Sequence, residues 1–174
     1  DHKRVLEGDQ GKNTGGMGAY SPSRLITPEL EDKIINKIIK PTLLGLNELG
    51  STYKGFLYTG LMIINNEPYL IEYNVRMGDP ECQTILPCLR TDLCEIFLAC
   101  CEGNLNKINI EWSNKKSLCV VLCSKGYPET FKKNIEIKNL DKLILKNDNF
   151  LFHAGTIQEN NKVYAVGGRV LNFI

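Results

Sequence analysis

No stretch of this chain approaches the ~20 consecutive apolar residues that a bilayer-crossing helix requires, so the sequence contains no span of that kind. No lysine- or arginine-rich run stands out either. The 174 residues carry 21 basic and 20 acidic side chains, a formal net charge of +1, which argues against nucleic acid or an anionic membrane as a partner. The seven cysteines, Cys82, Cys88, Cys94, Cys100, Cys101, Cys119 and Cys123, are odd in number and show neither CxxC nor a Cys/His zinc spacing. Most sit among aliphatic residues, where a thiol packs as a small hydrophobe. They are expected to be buried and reduced, which points to a cytoplasmic protein. Gly-Lys-Ser/Thr is absent, which excludes a Walker A loop, and Gly16-Met17-Gly18 lacks the third glycine of a dinucleotide fingerprint. There is no internal repeat, and the start Asp1-His2-Lys3-Arg4 is not expected to belong to a signal peptide.

What is present is an ordinary globular composition, 43% hydrophobic and 24% charged, enough for one domain or two small ones. The most informative stretch is Tyr69-Leu70-Ile71-Glu72-Tyr73-Asn74-Val75-Arg76-Met77-Gly78-Asp79-Pro80-Glu81. It alternates as a strand does, so side chains two apart share a face. Glu72, Asn74 and Arg76 fall on one face, and Ile71, Tyr73 and Val75 on the other. A carboxylate, an amide oxygen and a guanidinium in a row are expensive to bury without partners. Glu72 and Asn74 offer oxygens that suit Mg²⁺. Arg76 offers a fork that suits phosphate or carboxylate, or it pairs with Asp79 or Glu81. Asp79 either orients Arg76 or meets an amine, although turn chemistry alone also explains Asp-Pro.

The coarse reading is α+β, a mixed first part followed by a mainly β second part. Residues 7–18 carry five glycines and read as a loop. It is either a plain turn or a backbone N–H cradle for an anion. Thr27-Pro28 starts a helix. Leu30, Ile34, Ile35, Ile38 and Ile39 give it an apolar stripe that should pack on the protein's own sheet. Pro41 should kink or break it, with another turn or two running to Gly50. Residues 55–64 and 68–76 read as a hairpin about Asn65-Asn66. Asp92 and Glu95 form a potential capping box for a core helix that ends at Gly103. Polarity rises over residues 104–116, a candidate boundary. Residues 117–123, 150–157 and 163–173 read as strands. His153, in an apolar run, reads as a hydrogen-bonded core residue. The first residue is not Met, and residues 168–174 read as a strand in mid-course, so both ends are expected to be cuts through a longer protein.

Three segments together resemble one family: DHKR…EGDQGKNTGGMGAYSP at 1–22, YLIEYNVRMGDPECQ at 69–83 and FHAGT…VGGRVL at 152–171. They occur in the order and with the gaps of the phosphoribosylamine–glycine ligases, ATP-grasp enzymes of purine synthesis. The resemblance runs essentially end to end. It implies that residues 1–110 are the later part of an ATP-grasp core and 111–174 an incomplete, β-rich C-terminal domain. It implies a ligase that takes ATP, glycine and 5-phosphoribosylamine, acting as a monomer with no nucleic acid or membrane partner. The family's metal positions, for Mg²⁺ or Mn²⁺, fall on Glu72 and Asn74. The resemblance further implies catalytic roles for Arg76 and Asp79, and substrate contacts from Asp1, Lys3, Asn13, Gly15, Gly16, Met17 and Arg169. The ATP-grasp lysines and the adenine-binding segment would precede Asp1, so the chain alone is expected to be inactive. Two other readings stay open: another ATP-grasp carboxylate–amine ligase, and a truncated, non-catalytic module that binds nucleotide or a partner.

Overall fold

A computed structural model describes residues 1–174. It is α+β, with four antiparallel sheets and few helices. The chain divides into two interleaved compact units. One comprises Asp1–Ser21, Asp79–Pro87 and Lys115–Ile174, and the other Pro22–Gly78 and Cys88–Asn114. No helix is long and apolar enough to cross a membrane.

In the first unit, β1 (Arg4–Leu6) and β2 (Gln10–Asn13) pair as a ribbon, so part of the glycine-rich stretch expected to be loop is strand. β3 (Gly18–Ser21), β6 (Ser117–Cys123), β11 (Arg169–Phe173) and β8 (Leu151–His153) form an antiparallel sheet in the order β3-β6-β11-β8. A second sheet runs β7-β10-β9, from Ile135–Ile137, Lys162–Ala165 and Thr156–Glu159. The run expected over 163–173 is thus two strands, β10 and β11, in different sheets, divided by the Gly167-Gly168 pair. Along β6 the burial alternates: Ser117, Cys119 and Val121 are buried, while Leu118, Val120 and Leu122 are exposed, the period of a strand covered on one face. Ala165, Val170 and Leu171 form a core with Ile137, Leu140, Leu151 and Phe173 packed on it. The short helix α3 (Glu81–Ile85) packs on β3 and β6. The buried Thr84 hydroxyl donates to the Pro80 carbonyl at 2.8 Å.

In the second unit, α1 (Pro28–Ile34) starts as its sequence dictates. The Thr27 hydroxyl accepts from the Leu30 N–H, and Pro28 takes the first turn, where its missing N–H is harmless. Leu30 and Ile34 are buried, and α1 packs on strand β5 (Glu67–Asn74). Full burial of Leu30 stabilises by roughly 1.5–3 kcal/mol.

Pro41 does not break the helix. The chain passes through a π-helical segment, Ile35–Ile39, into α2 (Lys40–Glu48). Widening the turn is a known way to absorb a proline that lacks an N–H and crowds the preceding turn. The Ile38 carbonyl accepts from the Thr42 hydroxyl at 2.8 Å, and that hydroxyl lies 2.6 Å from the Tyr73 hydroxyl. The helix ends with Gly50 at φ 75 and a Ser51 N–H bond to the Leu46 carbonyl, as expected of a glycine stop.

β4 (Tyr58–Ile64) and β5 form the expected hairpin, with Asn65 and Asn66 both at positive φ. Helix α4 (Leu93–Glu102) is capped by Asp92, whose carboxylate accepts from the Cys94 N–H, and ends at Gly103. It is not a core helix. Only Ala99 is buried; Phe97, Leu98, Cys94 and Cys101 are exposed. The helix has apolar residues around more of its circumference than the unit covers. The cysteines follow suit: none is in a disulfide, and Cys119 alone is fully buried.

Candidate functional site

The expected row Glu72, Asn74, Arg76 stops one residue pair short. Asn74 pairs with Tyr58, the first residue of β4, and there the ladder ends. Without a ladder the period-two alternation has nothing to maintain it. Arg76 lies in the bend that follows and donates to the Met77 carbonyl at 3.1 Å. Glu72 and Asn74 do share a face, with the Asn74 amide nitrogen 3.1 Å from a Glu72 oxygen. No lysine or arginine lies within ion-pair distance of Glu72. Gly60 stands opposite it, where an added Cβ would come within 3.0 Å of its side chain. A carboxylate without a basic partner beside a side-chain amide fits a hard divalent cation once the amide turns its oxygen to the ion. Two protein ligands are in keeping with an ion that keeps waters and substrate phosphates as its other ligands. No group of three or more His, Cys, Asp or Glu side chains forms a closed metal site.

The first unit draws the three motif segments into one cluster around Arg169. Its Nη1 donates to the Gly15 carbonyl at 3.0 Å, to the Asp79 carbonyl at 2.8 Å and more weakly to the Gly16 carbonyl at 3.4 Å. Its Nη2 pairs with Asp79 Oδ2 at 2.8 Å. The other Asp79 oxygen accepts from Gln83 at 2.8 Å. Asp1 joins the cluster beside Gly16 and pairs with Lys3 at 2.8 Å. Gly16 has φ +122, and an added Cβ would lie 2.5 Å from Pro80 Cδ. Only glycine suits that backbone.

The N–H cradle is not open to an anion. The Thr14 N–H donates to the Lys3 carbonyl, Gly15 to the Tyr127 hydroxyl, Gly16 to the Thr14 hydroxyl and Met17 to the His2 carbonyl. The loop lies against residues 2–3, and its N–H groups, on the exposed Gly15 as on its more buried neighbours, are taken by protein acceptors. Asn13 ends β2, opposite Arg4 and outside the Arg169 cluster. His153 is exposed on edge strand β8, its Nδ1 3.0 Å from the Thr156 hydroxyl, and is no core residue.

Sequence reasoning missed Tyr127, Gln83 and Thr14. The only local signal for Tyr127 was its Gly126-Tyr127-Pro128 turn. Burial raises the Cys119 thiol above its ordinary value, and raises Cys82 likewise with help from the Asp79 charge.

The phosphoribosylglycinamide synthetase ATP-grasp (A) domain profile matches residues 1–82, and the C domain profile of the same synthetase matches residues 117–174. This chain belongs to the phosphoribosylamine–glycine ligase family. The Brucella melitensis ligase is 45% identical over 99% of this chain and 40% of its own length. A Vigna unguiculata ligase is 47% identical over 98% of this chain and 56% of its own. The crystal structure of the Thermotoga maritima ligase superposes with a TM-score of 0.78 at 36% identity, covering 99% of this chain and 41% of that one. The chain therefore spans about two fifths of the length of most ligases it matches.

Proposed function

We propose that the protein to which this chain belongs joins glycine to 5-phosphoribosylamine at the expense of ATP, in purine (IMP) synthesis. ATP phosphorylates the glycine carboxylate, giving glycyl phosphate and ADP. The phosphoribosylamine nitrogen attacks the acyl carbon, phosphate leaves, and glycinamide ribonucleotide forms. Glu72 and Asn74 would hold Mg²⁺ or Mn²⁺, which screens phosphate charge during transfer. Arg76, beyond the strand end, would stabilise charge on the transferred group. Asp79, a half-exposed carboxylate, would orient the amine. Asp1, Lys3, Asn13, Gly15, Gly16 and Met17 would form the substrate side, with Arg169 behind them.

The observation that carries this reading is the Glu72–Asn74 side-chain pair, a carboxylate with an amide beside it and no basic partner, in a chain of this ligase family. The division at 110/111 into an ATP-grasp part and a C-terminal domain is supported by profile matches that end at 82 and begin at 117. The chain alone would be inactive, because it lacks an assignable adenine-binding segment. We propose a cytoplasmic monomer without nucleic acid or membrane partners. An Arabidopsis thaliana relative is named chloroplastic.

The test is ADP release by the full-length protein. Release should require both glycine and phosphoribosylamine, and Glu72→Gln should lower it about a hundredfold and raise the Mg²⁺ needed. Release indifferent to glycine, or an unimpaired Glu72→Gln, overturns the reading.

A further inference from the structure

Arg169 is unusually well occupied for a side chain expected to contact substrate. Its guanidinium faces four protein oxygens, three carbonyls from two loops and one carboxylate oxygen. Its side chain is 21% exposed, against 51% for Asp79. An arginine that reads a substrate needs its fork open, and this fork is closed on the protein. The Asp79 carboxylate, by contrast, keeps acceptor capacity beyond the two bonds it makes to Arg169 and Gln83.

A second group fixes the same turn from the other side. The Tyr127 hydroxyl accepts the Gly15 N–H at 3.0 Å, so Gly15 is held at its N–H by Tyr127 and at its carbonyl by Arg169. The two holders come from segments tied to each other. The Ser124 N–H donates to the Gly168 carbonyl at 2.7 Å, the Ser124 hydroxyl donates to the Gly167 carbonyl at 2.8 Å, and the Tyr127 N–H returns to the Ser124 carbonyl at 3.0 Å. The Tyr127 ring rests edge-on to Phe131 and passes so close to Gly168 that a Cβ there would enter it. A donor and an acceptor on one frame, closing on the two peptide groups that flank one α-carbon, define its position and not merely its neighbourhood.

We propose that Arg169 is a positioning residue: with Tyr127 it locks the Gly15–Gly16 turn and aims the Asp79 carboxylate, and it does not itself contact substrate. The inference rests on the reading above for the chemistry it serves. Lysine retains the charge but cannot reproduce the planar fork that reaches both loops. The experiment uses the full-length protein with Arg169→Lys and Tyr127→Phe. It compares kcat, the KM of each substrate, and amide hydrogen exchange of residues 14–17 with that of β6. Expected for Arg169→Lys is a tenfold or greater fall in kcat, KM values within about threefold, and at least tenfold faster exchange at 14–17 with β6 unchanged. Tyr127→Phe should speed exchange at Gly15 several-fold with a smaller fall in kcat, and it carries the test if Arg169→Lys does not fold. Unchanged exchange at 14–17 overturns the proposal. So does a tenfold rise in the KM of one substrate with kcat and exchange held, which would make Arg169 a direct contact. If the wild type shows no glycine-dependent ADP release, the ligase reading fails, and exchange alone decides whether Arg169 and Tyr127 hold the turn.

Discussion

Gly16 carries the strictest demand on a single residue. Its φ of +122 is a region that side-chain-bearing residues avoid, and an added Cβ would meet Pro80 Cδ at 2.5 Å and Asp1 Oδ1 at 3.0 Å. Gly16→Ala should therefore destabilise the protein by about 1–3 kcal/mol, from backbone strain and the clash together, measured by urea denaturation. A midpoint equal to wild type would show that the turn has room the structure does not display. At this scale the sequence reads unevenly. Asp79 and Arg169 announce themselves as charges in motif-like surroundings. Tyr127 does not, because its partner Gly15 is 112 positions away and nothing beside a tyrosine in a turn reveals where its hydroxyl ends.

Helix α1 and hairpin β4–β5 show what elements add. Glu67, the first residue of β5, lies between Lys33 and Lys37 at 2.9 and 2.7 Å. Hydrogen bonds from Lys37 and Lys33 hold its carboxyl down from 4.5 to about 2, and the same contacts with Glu67 and Glu29 raise Lys33. A carboxylate with a depressed folded-state value stabilises at neutral pH and loses that contribution as pH falls from about 4.5 through about 2. Glu67→Gln should lower the thermal midpoint slightly at pH 7, since exposed pairs contribute little. The difference should shrink through that window and vanish near pH 2; a gap independent of pH would mean that packing, not charge, is responsible. The helix itself marks a limit of pattern reading. Pro41 signals a break by local rules, yet the π-helical segment and the Thr42 and Tyr73 hydroxyls keep the helix going. Tyr73, whose hydroxyl meets that of Thr42, belongs to another element.

Across the whole chain, apolar surface is left uncovered. Leu49, Val75, Leu98 and Ile144 are all more than 60% exposed, as are Ile71 and Leu44. The outer face of β6 shows Leu118, Val120 and Leu122, and the edges of several sheets are unpaired. Such surface and such edges promote association. Light scattering of the isolated 174-residue chain should give a mass above that of a monomer, and of the full-length protein at equal concentration a smaller association number. Equal numbers would show that this surface is tolerated in water.

Read alone, the sequence determined what depends on near neighbours. It set the Thr27 and Asp92 caps, the Asn65-Asn66 hairpin, the stops at Gly50 and Gly103, the Glu72–Asn74 pair on one face and the α+β class. Caps, turns and strand alternation are decided within a few residues by backbone sterics and local hydrogen bonds. Tertiary structure alone decided that Arg76 leaves the strand, since the ladder ends where β4 begins, and that the glycine-loop N–H groups turn inward, since residues 2–3, Thr14 and Tyr127 supply acceptors. It also decided that α4 and most cysteines are not core, and that Arg169 closes on Asp79. Each depends on which distant segment arrives at a given place, and free energy of that kind is not written in any window of the chain.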